Sequence, residues 1–167
     1  MKRKHVYHIA LTAVLAALTT TLIIFNVSTG AGIIHAGDAI ILLAAVLLPT
    51  PYAMLVGAIG GGLHNILFIP MWAPATIVIK AAITVPFSAK QPKMLTKRNI
   101  LALIPYALIT LLGYGFYEVW FITQGPWLEI LLASMLRNSV QIVASSILFI
   151  VLTALLDKTN FKQRIGL

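Results

Sequence analysis

The sequence predicts an all-α integral membrane protein: a bundle of six transmembrane helices with both termini in the cytoplasm. Three observations carry this. Of the 167 residues, 60% are hydrophobic and 10% charged, with mean hydropathy +0.98, whereas a soluble domain carries about 25% charged residues. The apolar residues fall in six runs, at 6–25, 36–48, 52–69, 73–89, 99–122 and 127–156. Ten of the twelve Lys and Arg lie in three clusters outside those runs: Lys2, Arg3 and Lys4; Lys90, Lys93, Lys97 and Arg98; Lys158, Lys162 and Arg164.

The elements follow in chain order. The first run is long and has no small-residue cleavage site followed by a hydrophilic mature protein. It therefore reads as a retained helix, not a signal peptide. The second run is short against the roughly 20 residues of a straight span. Pro70 and Pro74 punctuate the junction of the third and fourth runs. Short or broken segments at membrane depth are tolerated only when buried in protein or lining a cavity, so the middle helices are not expected to be simple lipid-facing rods. The polar stretch 90–98 divides four helices from two, but its nine residues make a connector. Residues 1–167 are expected to form a single membrane domain without internal repeats.

With the amino terminus inside, the segments 1–5, 49–51, 90–98 and 157–167 share one side and hold all ten clustered cations. The segments 26–35, 70–72 and 123–126 hold none. Positive residues favour the cytoplasmic side, which fixes the expected orientation. The formal charge of +8 is thus read as a bilayer-edge feature and not as a nucleic-acid surface. The chain has no cysteine, which excludes disulfides, Cys-ligated metals and thiol catalysis. No P-loop, His-Glu-x2-His or nucleophile elbow occurs. His35 and His64 near Asp38 lack diagnostic metal-ligand spacing. No cofactor and no metal are expected.

Four groups of residues invite a functional reading. Ala13 and Ala17 share a face of the first helix, extended by Ala10 and flanked by Ala16. Small-xxx-small faces let membrane helices approach closely, either within the chain or at a docking surface for another subunit. Gly57, Gly60, Gly61 and Gly62 crowd the third helix, at about 1 kcal/mol per interior glycine. Close helix packing or backbone approach to a ligand would account for them.

The third group lies in the outer halves of the helices: His35, Asp38, His64, Asn65, Glu118, Gln124 and Glu129, with Trp72, Tyr114, Tyr117, Trp120 and Trp127 beside them. Intramembrane ionisable groups are costly and face a cavity or a partner. The aromatic residues fit an interfacial belt equally well, and Asp38 fits a helix cap. Lys80 and Glu118 are candidates for an ion pair, with Arg137 competing for the same carboxylate or snorkelling. Last, Asn138 and Gln141 share a face of the sixth helix, and their amides offer donor and acceptor together, as a heteroaromatic edge requires. Interhelical hydrogen bonding is the plainer alternative.

At His35-Ala-Gly-Asp38, followed by Gly57-Ala-Ile-Gly60-Gly-Gly-Leu-His64-Asn65 and Ala73-Pro-Ala-Thr-Ile-Val-Ile-Lys80, the chain resembles the substrate-binding S component of energy-coupling factor (ECF) vitamin transporters. Within that family it looks most like the branch assigned to hydroxymethylpyrimidine or to pyridoxine and related B6 vitamers. The resemblance covers nearly the whole chain. It implies a six-helix S-component bundle in a prokaryotic plasma membrane. It also implies that Ala13 and Ala17 dock a transmembrane coupling subunit, which two ATPase subunits drive. The ligand pocket would lie near the outer surface beneath a lid at 26–35. It would draw on His35, Asp38, His64, Asn65, Trp72, Lys80, Tyr114, Glu118, Asn138 and Gln141. Relatives often carry Asp where Asn65 stands. The chain itself is then a binding subunit and no enzyme. A self-sufficient secondary transporter and an intramembrane enzyme using His35, Asp38 and His64 are the rival readings.

Overall fold

In a computed structural model the chain is described over residues 2–30 and 32–166, so Ala31 of the expected lid lies outside it. Helix α1 spans Lys2–Ile24 and leads into a short antiparallel hairpin, β1 (Val27–Thr29) and β2 (Gly32–Ile34), with Ser28 paired to Ile33. There follow α2 (Gly37–Leu47), α3 (Thr50–Phe68), a 3-10 turn (Pro70–Trp72) and α4 (Ala73–Ala82). The chain continues through α5 (Lys97–Leu101), α6 (Leu103–Tyr117), one π-helical turn (Glu118–Ile122), α7 (Trp127–Lys158) and the tail helix α8 (Phe161–Arg164).

Among the described residues four stretches are long and apolar enough to cross a bilayer: Lys4–Ile24, Thr50–Phe68, Lys97–Ile122 and Trp127–Lys158. Helix α2, with 11 residues, reaches only about 16 Å at 1.5 Å per residue. Every one of its residues is buried, and its sequence is apolar all round from Ala39 to Leu47, which suits a central position against α1, α3 and α7. Large apolar side chains on the outer helices, such as Val6, Leu67, Val78 and Leu136, stay exposed, as lipid-facing surfaces require.

Two features depart from the sequence expectation. The lid at 26–35 contains a β-hairpin, which the all-α expectation did not include, closed in part by the Thr29 hydroxyl donating to the Gly32 carbonyl at 2.7 Å. The fourth helix was expected to reach residue 89 but ends at Ala82. Pro86 disfavours helix at the residue before it, and the Thr84 hydroxyl donates to the Ala81 carbonyl at 2.7 Å. The following stretch is held by buried polar contacts. The Asn99 amide accepts from Ser88 N–H at 2.9 Å and donates to the Ser88 and Met94 carbonyls. The Asp157 carboxylate accepts from the Met94 and Leu95 amides at 2.9 Å each.

The glycines of α3 serve close packing on two sides. A Cβ at Gly60 would come within 2.7 Å of Thr19, and one at Gly57 would strike the Lys80 carbonyl. The Thr20 hydroxyl donates to the Gly60 carbonyl at 2.9 Å, tying α1 to α3 across that contact. Helix α3 is therefore wedged between α1 and α4, and the depth of the wedge sets where Lys80 stands. Gly57→Ala should lower stability by about 1–3 kcal/mol, read as a reduced melting temperature in detergent. Gly30→Ala, with no atom near the added methyl, should leave the melting temperature unchanged.

Candidate ligand cavity and its ion pairs

The end of the bundle opposite the Lys and Arg clusters contains a cavity of about 340 Å³ beneath the hairpin. Of the ten residues expected to form a pocket, nine line it: His35, His64, Asn65, Trp72, Lys80, Tyr114, Glu118, Asn138 and Gln141. Asp38 does not reach the wall. It is wholly buried behind Lys80, and its side chain makes no capping bond at the start of α2.

The expected Lys80–Glu118 pair does not form. The Lys80 ammonium donates to both Asp38 carboxylate oxygens at 2.7 Å and sits 5.4 Å from the Tyr114 ring centroid. Tyr106, fully buried, places its hydroxyl 3.4 Å from the same carboxylate. The cause is rotational. Gly57 and Gly61 bring α4 close to α3, which aims Lys80 at α2 and not at the π turn that carries Glu118. That carboxylate goes to Arg137 of α7, at 2.5 and 2.6 Å. The Arg137 side chain is 48% exposed, so this pair sits at a solvated edge, whereas the Asp38–Lys80 pair is walled in.

The remaining polar groups divide into committed and available ones. The Asn65 amide donates to the Thr76 hydroxyl at 2.6 Å and its oxygen lies 2.9 Å from His64 Nδ1. The Tyr114 hydroxyl also donates to Thr76, at 3.1 Å. Gln141, expected to face a ligand, is occupied by the lid base. Its oxygen accepts from His35 N–H at 2.9 Å, and its nitrogen donates to the His35 carbonyl at 3.0 Å and to Ser145 at 2.8 Å. Asn138 donates to the Ser134 carbonyl at 2.9 Å, and among the described residues its amide oxygen has no partner.

Aromatic faces complete one wall. Trp72 lies 6.0 Å from Tyr114 and 5.8 Å from Tyr117, ring centroid to centroid, and the Tyr117 hydroxyl donates to the Met71 carbonyl. Trp120 and Trp127 are exposed, as are Gln124 and Glu129, and none of the four lines the cavity. Sequence reasoning missed Asn26, Gly32 and Thr76 as lining residues, whereas Gly61, one of the glycines for which close packing and backbone approach to a ligand were the two readings, also lines the cavity. Gly32 was legible only as part of the lid: it seats the hairpin on α7, where a Cβ would lie 2.6 Å from the Arg137 carbonyl. Ala13 and Ala17 are exposed on the outside of α1, whereas Ala16 turns inward to the Gly60 contact.

Removing one partner of a buried ion pair leaves an uncompensated charge, typically at about 3–5 kcal/mol. Lys80→Met should therefore lower the melting temperature severely. The double variant Lys80→Met/Asp38→Leu should recover a large part of that loss, a non-additivity that thermal melting of these two variants and of Asp38→Leu will measure.

No curated protein gives a significant match to the chain. A family model does: that of the ECF-type riboflavin transporter S component, which matches residues 3–158. An apolar helical bundle with a polar and aromatic cavity under a short hairpin is in accord with a membrane-embedded binding subunit, and the chain belongs to the ECF-type riboflavin transporter S component family.

Proposed function

We propose that this protein is the substrate-binding subunit of an ECF importer and that its outer cavity holds a heteroaromatic vitamin, riboflavin being the first candidate. The observation that carries the reading is the cavity itself, which joins an aromatic wall of Trp72 and Tyr114 to polar groups on several helices. Ligand sites pair flat apolar walls with a few placed polar groups in this way. The volume of about 340 Å³ falls in the range of about 300–1,000 Å³ for drug-sized ligands. That size suits a multi-ring flavin better than the single-ring hydroxymethylpyrimidine or B6 vitamers favoured on sequence resemblance. The name of the matching family also carries riboflavin.

In this reading the unpartnered oxygen of Asn138 accepts from a ring N–H, and the aromatic wall stacks on the ring. Lys80, neutralised by Asp38, contributes position more than net charge, which fits an uncharged ligand. The basic end faces the cytoplasm, so ligand enters from outside under the hairpin. The chain carries no ATPase motif, and the energy comes from partners: a transmembrane coupling subunit and two ATPase subunits. The exposed small face at Ala13 and Ala17 is the proposed docking surface, because a smooth face permits repeated close approach without buried polar partners.

Calorimetry on the purified chain should find riboflavin bound without ATP, more tightly than hydroxymethylpyrimidine or pyridoxine. Tighter binding of a single-ring ligand would overturn the flavin assignment, and no binding of any water-soluble vitamin would overturn the importer reading. Asn138→Ala should weaken binding by about 5- to 150-fold, corresponding to roughly 1–3 kcal/mol for an unpaired buried group. Ala13→Trp should abolish cellular uptake while leaving the affinity of the isolated chain intact; an equal loss of affinity would show that the face does not dock a partner.

A further inference from the structure

The basic end of the bundle holds a second cavity, of about 920 Å³, which shares no lining residue with the first. Its apolar walls include Leu47 at the end of α2, Val85 and Phe87 beyond α4, and Ile165 of the tail. Lys4, at the start of α1, and Lys90 and Arg98, at the two ends of the connector 90–98, also line it, and all three are exposed. Among the described residues no Asp or Glu lines this cavity, and the side chains of these three cations have no ion-pair partner. The acidic residues are spent elsewhere. Asp38 and Glu118 are paired near the other end, Asp157 receives two backbone amides, and Glu129 lies in the first turn of α7.

A fourth cation builds the cavity and does not serve it. Lys162, only 4% exposed, donates to the carbonyls of Val46 at 3.1 Å, Gln91 at 2.8 Å and Ala89. It thereby fastens the tail helix beneath the end of α2 and under the segment that carries Lys90. The site is therefore held by buried bonds before any ligand arrives.

We propose that this cavity binds the phosphate-bearing headgroup of an anionic membrane phospholipid. Lys4, Lys90 and Arg98 surround the phosphate, and an acyl chain lies along the apolar wall at Val85. A phosphate diester fits three cations that line one cavity with no competing carboxylate. A lipid fits better than a soluble phosphate for two reasons. The walls are largely apolar, and Val85 is half exposed at the edge of a bundle whose outer face is apolar. Basic pockets between membrane helices at the cytoplasmic boundary are suited to anionic headgroups, each nearby cation strengthening attraction to that leaflet.

The test is native mass spectrometry of the delipidated full chain in non-ionic detergent, titrated with phosphatidylglycerol, phosphatidylcholine or inorganic phosphate. One phosphatidylglycerol should bind saturably, in preference to phosphatidylcholine. Lys4→Gln/Lys90→Gln/Arg98→Gln should weaken it by about tenfold or more, as loss of three nearby charges requires. The control Lys93→Gln/Lys97→Gln/Lys158→Gln removes the same charge from exposed residues outside the cavity and should change binding by less than about twofold. Equal losses in the two triple variants would reduce the effect to diffuse surface charge and overturn the site. Equal occupancy by inorganic phosphate would overturn the lipid assignment. If the first triple variant fails to fold, Lys90→Gln alone decides, with about a threefold loss expected and no loss overturning the proposal.

Discussion

The buried pair between Asp38 and Lys80 is the contact on which the outer half of the molecule depends. It joins the central helix α2 to α4 in a region where neither charge could stand alone. Its geometry follows from residues with no charge at all. Gly57 and Gly61 let α3 and α4 meet almost backbone to backbone, and that approach carries the Lys80 ammonium to the start of α2. Tyr106 and the Tyr114 ring close around the pair. The cavity floor is thus electrically quiet although it is built from full charges.

Much of this was legible in the sequence. An ionisable or amide side chain at membrane depth is costly enough to need a reason, and seven such residues, His35, His64, Asn65, Lys80, Glu118, Asn138 and Gln141, line one cavity together with Trp72 and Tyr114. The partners of those residues were not legible. Whether Lys80 meets Asp38 or Glu118 depends on the rotation of α4 about its axis, which glycine packing decides and which linear spacing cannot express. The same holds for Gln141, whose shared face with Asn138 was clear but whose commitment to the His35 backbone was not. The hairpin escaped notice because strands of three residues leave almost no alternation to read.

The two ends of the bundle solve opposite electrostatic problems. Near the cavity end each charge of Asp38, Lys80, Glu118 and Arg137 has a counter-charge within hydrogen-bond distance. At the basic end, among the described residues, Lys162 is satisfied internally, by carbonyl dipoles and not by acids. Helix ends supply such carbonyls because their last four acceptors have no partner within the helix. A buried cation in that place completes the end of α2 and anchors the carboxyl-terminal tail together.

The grip of Gln141 on the lid base is made to peptide groups: it accepts from the His35 N–H and donates to the His35 carbonyl. A peptide group is the same whatever side chain it bears. The junction of the hairpin and α2 is therefore held mainly through groups that any residue at position 35 would supply, the His35 ring adding a longer contact of its Nδ1 with the Gln141 nitrogen at 3.4 Å, although that side chain lines the cavity. Cavity lining and the seating of the hairpin are largely separated at a single residue. Substitutions there would change the cavity wall while the peptide contacts that seat the hairpin stay as they are.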